Sequence, residues 1–129
     1  SISFNLKYGG GANIDRKDSK QAVSEIIKLA ERMKKFNWST VIFPEGTRAK
    51  NGLIKPFAVG GVATLLKKVP DALLVPIAIN GSWKLVQYGK FPLSTGQKIT
   101  WEVLEPFEPG NKTMEEIVDA AEKAIRKAL

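Results

Sequence analysis

The sequence predicts an α/β fold with a central mixed, partly parallel sheet flanked by helices. Three observations carry that expectation. Apolar residues recur at helical spacing over about 19–35. A β-rich run at 40–43 and an apolar run at 73–79 flank a second helical segment, the arrangement of a β-α-β unit with a right-handed crossover. A capping box opens a last amphipathic helix near the C-terminus.

Taken in order, residues 2–6 alternate weakly and suggest a short strand. Gly9, Gly10 and Gly11 then signal a loop. Asp18 suits a helix N-cap, with Gln21 as the second half of a capping box. Val23, Ile26, Ile27, Ala30 and Met33 give the following helix its apolar stripe. Thr40, Val41, Ile42 and Phe43 favour a strand, which Pro44 ends. Residues 45–56 carry glycine, charge and proline and read as a loop.

A second helix is predicted over 58–68, with Val62, Ala63, Leu65 and Leu66 apolar. The run 73–79 suits a strand buried on both faces, with a bulge or break at Pro76, which lacks a ladder donor. Residues 82–97 read as irregular. Ile99, Trp101 and Val103 alternate with Thr100 and Glu102 as in a half-buried strand. Thr113 and Glu116 form the capping box of the last helix. Its stripe is Ile117, Ala120, Ala121, Ala124, Ile125 and Ala128.

Composition narrows the function classes. The chain has 129 residues, enough for one domain or part of one, and 43% apolar with 26% charged residues is ordinary globular composition. The net charge of +7 suits anionic partners, and equally a soluble protein with extra surface lysine. No basic run and no recognition motif points to nucleic acid, so no nucleic-acid partner is expected. The chain contains no cysteine, which excludes disulfides, thiolate metal sites and a cysteine nucleophile. It contains no histidine, which excludes Ser-His-Asp or Cys-His chemistry and histidine-ligated zinc within these residues. No metal and no bound cofactor are expected. No apolar run approaches the roughly 20 residues of a membrane-spanning helix, and no signal peptide is read, so the chain is expected to be soluble.

Two segments could carry chemistry. Phe43-Pro44-Glu45-Gly46-Thr47-Arg48 follows a predicted strand, where open α/β sheets bind ligands. Gly46 would allow close backbone approach, and Arg48 presents a planar fork of donors suited to phosphate. A capped turn with an exposed Glu45–Arg48 salt bridge is the competing reading. Ile14-Asp15-Arg16-Lys17 precedes a helix, where Arg16 and Lys17 would join free backbone N–H groups in facing an anion. Alternatively, Asp15 and Asp18 simply favour the helix start. The glycine triplet does not complete a dinucleotide fingerprint, because position 14 is Ile14, and no P-loop pattern is present.

The segment 43–48 resembles the most recognisable block of the glycerolipid and phospholipid acyltransferase superfamily. Three further blocks follow the family order. Asn13-Ile14-Asp15-Arg16 resembles the upstream arginine block. Ile54-Lys55-Pro56-Phe57-Ala58-Val59-Gly60-Gly61 resembles the stretch leading into a helix, and Val75-Pro76-Ile77 resembles the last block. The resemblance covers roughly 12–80 and implies that residues 1–129 are the C-terminal part of a single, incomplete acyltransferase-type domain.

It further implies transfer of a fatty acyl group from acyl-CoA or acyl-carrier protein, as thioester donor substrates, to lysophosphatidic acid or a related lysophospholipid acceptor. Arg16 and Arg48 would bind the acceptor phosphate. Gly46 and Thr47 would shape the loop, Glu45 would hold an arginine or the acceptor hydroxyl, and Pro76 would line the acyl or acceptor pocket. The family's base is a histidine with an aspartate after four intervening residues, and this sequence has no histidine. The expectation is therefore a chain cut before that block and inactive alone, its intact enzyme in peripheral contact with the cytoplasmic side of a membrane. The alternative is a non-catalytic phospholipid- or phosphate-binding module of the same ancestry.

Overall fold

The computed structural model describes residues 9–12, 14–15, 17–47, 49, 51–89 and 91–129. The strand expected over 2–6 lies outside the described residues. The chain divides into two compact units, one of Ser1–Ile42 with Gly60–Ala72, the other of Phe43–Val59 with Leu73–Leu129.

In the first unit, α1 spans Ser19–Phe36. Asp18 is its N-cap, and the carboxylate accepts from the Lys20 and Gln21 amides, both at 3.0 Å. The second half of the expected capping box is built differently. The Gln21 Oε1 accepts from the Asp15 amide at 2.9 Å, while the Asp18 amide donates to the Asp15 carbonyl. The helix ends at Asn37, whose left-handed backbone (φ 52°) turns its amide back to the Met33 carbonyl. Lys34 and Lys35 in the last turn complement the negative end of the helix dipole.

Helix α2 spans Val59–Lys68, and its part from Gly60 onward belongs to this unit. Ile26 and Leu29 of α1 meet Leu65 of α2 in a small core, with Ala12, Met33 and Ile42 packed against it. Full burial of a leucine or isoleucine side chain such as those of Ile26, Leu29 and Leu65 contributes roughly 1.5–3 kcal/mol.

The run 40–43 departs from expectation. It carries no strand among the described residues, and Val41 and Phe43 are each 70% exposed. β-propensity describes fitness for a pleated surface, and a strand exists only where a neighbouring backbone supplies the ladder.

The second unit holds the sheet of the described residues. β1 spans Ile77–Asn80 and β2 spans Thr100–Val103, paired antiparallel with Ile77 opposite Val103 and Asn80 opposite Thr100. Pro76 interrupts the run as its chemistry requires. Leu74 makes an isolated bridge with Phe107, Pro76 contributes only its carbonyl, which accepts from the Leu104 amide, and β1 starts one residue later. The expectation of burial on both faces is corrected. Pro76 and Ala78 are buried, whereas Leu73 is 57% and Val75 43% exposed. The cause is one-sided cover.

Helix α3 (Met114–Ala128) lies against β1 and buries Ile117 and Val118. Its capping box forms as predicted: Thr113 Oγ1 accepts from the Glu116 amide at 3.2 Å, and Glu116 Oε2 accepts from the Thr113 amide at 2.8 Å. The segment 82–97, expected to be irregular, contains a 3-10 helix at Ser82–Val86.

Candidate functional site

Pro44 opens a tight turn in which the Gly46 amide donates to the Phe43 carbonyl at 3.1 Å. Gly46 has φ +65°, and a Cβ there would meet nothing within 4 Å. Glycine is therefore required by backbone conformation and not by crowding. Residues 44–47 and 55–58 form two limbs tied at three levels. The Ala58 amide donates to the Pro44 carbonyl at 2.9 Å, the Lys55 amide to Glu45 Oε2 at 3.2 Å, and Lys55 Nζ to Thr47 Oγ1 at 2.9 Å. At the tip, Gly52 (φ +78°) faces the Trp83 indole, and a Cβ on Gly52 would lie 2.7 Å from its Nε1.

Helix α3 holds the returning limb from outside. Arg126 donates to the Ile54 carbonyl at 3.2 Å, and the Phe57 amide donates to Glu122 Oε2 at 2.8 Å. Glu122 and Arg126 are themselves joined one turn apart, Nε to Oε1 at 2.8 Å. The Phe57 amide, and after it the Arg126 guanidinium, hold the Glu122 carboxyl below the ordinary glutamate range. Sequence reasoning missed this clamp. The spacing of Glu122 and Arg126 marks a helical ion pair, but nothing local points to partners 65 and 72 residues away.

Of the sequence-predicted site residues, Glu45, Gly46 and Thr47 come together in this loop, with Gly46 and Thr47 exposed and Glu45 half-buried. Arg48 and Arg16 lie outside the described residues, and with Arg48 the competing Glu45–Arg48 salt bridge. The Glu45 carboxylate braces the loop by accepting from the Lys55 amide. Pro76 is buried and stops the ladder ahead of β1.

In the block 14–17, Arg16 lies outside the described residues, and the acidic side chains around it are bonded to backbone amides. Asp18 takes the amides of Lys20 and Gln21, and Asp15 Oδ1 accepts from the Lys17 amide at 2.9 Å. The Asp18 carboxylate thus engages two of the first N–H groups of the helix. Among the described residues, no group of acidic side chains is arranged to hold a metal ion.

The loop belongs to an α/β chain, and comparison with known proteins shows the family of that chain. The Acyltransferase family model matches residues 3–80, and the chain belongs to that family. It is 31% identical over 128 residues to human 1-acyl-sn-glycerol-3-phosphate acyltransferase beta, covering 97% of this chain and 45% of that protein. It is 37% identical over 70 residues to the 1-acyl-sn-glycerol-3-phosphate acyltransferase of Cocos nucifera, covering 54% of this chain and 22% of that protein. The crystal structure of the 1-acyl-sn-glycerophosphate (LPA) acyltransferase PlsC from Thermotoga maritima superposes with a TM-score of 0.76 at 24% identity. That alignment covers 98% of this chain and 49% of PlsC, and it establishes a shared fold. The chain thus spans about half or less of the length of the relatives it matches.

Proposed function

We propose that this chain forms the acceptor-phosphate half of a 1-acylglycerol-3-phosphate acyltransferase site, in phospholipid synthesis. The observation that carries the reading is the loop 44–58, in which hydrogen bonds tie residues 44, 45 and 47 to 55 and 58 with Gly46 and Thr47 open to solvent. Arg48, next in the chain, provides a charge-assisted fork for the phosphate. Gly46 and Thr47 shape the approach, Glu45 braces the returning limb, and Pro76 borders the acyl or acceptor pocket. Arg16 is a second proposed phosphate cation.

In the reaction, a base takes the proton of the acceptor hydroxyl as its oxygen attacks the thioester carbonyl of acyl-CoA or acyl-carrier protein, and the thiolate leaves. With no histidine among the 129 residues, the histidine base of the resemblance is not supplied by them. These residues alone are therefore expected to bind acceptor without acyl transfer. The central, partly parallel sheet also remains a proposal, because the described residues pair only β1 with β2. Among the described residues no helix is long and apolar enough to cross a membrane. Contact with the cytoplasmic membrane surface is proposed to be peripheral, assisted by the charge of +7.

Titration of the chain with a short-chain 1-acylglycerol 3-phosphate tests this reading. Binding without turnover is expected, with affinity falling about 10- to 100-fold in Arg48→Ala, the loss of a hydrogen bond to a charged group. Arg16→Ala is a separate arm. Equal binding by Arg48→Ala and the unmodified chain would overturn the reading.

A further inference from the structure

We propose that Lys55 is a further phosphate-binding residue of this loop, acting with the Thr47 hydroxyl; the proposal rests on the acceptor-phosphate reading above. Lys55 lies on the returning limb, yet its ammonium reaches across to Thr47 Oγ1 at 2.9 Å, one residue before Arg48. An ammonium carries three donors, and this bond engages one. Among the described residues no carboxylate lies within ion-pair distance of Lys55, in contrast with Lys28, paired to Glu25, and Lys123, paired to Asp119. The Glu45 carboxylate is bonded to the Lys55 amide and not to its ammonium. An exposed cation thus lies beside Thr47.

The Thr47 hydroxyl completes the pair. Because its oxygen accepts from Lys55, its own proton is directed elsewhere and is available to an anion. The two side chains present N–H and O–H donors side by side, the hydrogen-bonding complement of phosphate oxygens.

The backbone around Lys55 is held ready. Arg126 engages the Ile54 carbonyl, Glu45 the Lys55 amide and Glu122 the Phe57 amide. Three bonds within four residues reduce the ordering cost that a flexible lysine otherwise adds to binding. Glu122 and Arg126 are accordingly positioning residues, acting on the anion only through Lys55.

The test compares Lys55→Met, Lys55→Arg and Arg48→Ala, titrated with short-chain 1-acylglycerol 3-phosphate and with the matching 1-acylglycerol lacking phosphate. Lys55→Met is expected to weaken binding of the phosphorylated ligand about tenfold. Its binding of the neutral ligand stays unchanged, an outcome that general loss of structure would not give. Lys55→Arg, which keeps the charge, stays within a few-fold of the unmodified chain. Lys55→Met binding the phosphorylated ligand as tightly as the unmodified chain, while Arg48→Ala loses it, would overturn the role of Lys55 and leave the acceptor-phosphate reading standing. Unchanged binding in Arg48→Ala, or no binding by the unmodified chain, would overturn both.

Discussion

The blocks at 13–16 and 43–48 look alike in sequence, each a short loop ending in arginine beside a predicted element. Their surroundings differ in who satisfies the backbone. At the start of α1, Asp15 and Asp18 accept from nearby amides of the same segment. In the loop 44–58, the bonds run from limb to limb and from α3, leaving the turn at Gly46 and Thr47 open. A basic residue near a helix start is a weak sign of an anion site when acidic residues compete for the same N–H groups.

The contrast can be broken by crossing the variants. Arg48→Ala should give the largest effect, loss of phosphate-ligand affinity with little change in melting temperature. Asp18→Ala should do the reverse, costing about 1 kcal/mol of stability through the lost cap while affinity for the phosphorylated ligand is kept. Paired thermal melts and titrations check both, and a large affinity loss in Asp18→Ala would erase the distinction.

Gly46→Ala sharpens the loop side. The added methyl has room, so the cost is backbone strain at φ +65°, roughly 1–2 kcal/mol for a left-handed non-glycine residue. If Gly46→Ala melts at the unmodified temperature, the turn does not hold that conformation in solution.

The smallest effect concerns Glu122. Its folded pKa is depressed, chiefly by the Phe57 amide, so the stability it contributes is complete above the ordinary glutamate value and lost as pH falls through the lower folded value. The protection factor of the Phe57 amide, its exchange rate corrected for the intrinsic pH dependence, should therefore fall on acidification through that window, and Glu122→Gln should blunt that change. Protection of Phe57 that ignores this window would dissolve the clamp.

What the sequence made legible was local. Asp18 and the Thr113–Glu116 box placed the starts of α1 and α3, because caps act over three residues. Pro76 announced its break in the ladder for the same reason. The turn at 43–46 followed from proline and glycine chemistry. Partners distant in sequence were not legible. The run 40–43 had strand composition without a described ladder partner. The apolar run through β1 suggested two covered faces, but α3 covers one, while Trp101 and Val103 across the sheet remain largely exposed. The clamp of Glu122 and Arg126 on 54–57 required the fold to bring it together. Lys55 was visible in a family block, but its reach to Thr47 depends on how the loop returns.

The central claim is that the loop 44–58 recognises a phosphate. Phosphorus NMR of a short-chain 1-acylglycerol 3-phosphate, recorded with the chain and with Arg48→Ala, tests it most directly. The account predicts that the ligand resonance shifts and broadens with the unmodified chain and returns to its free position with Arg48→Ala. An identical phosphorus spectrum with both proteins would contradict it.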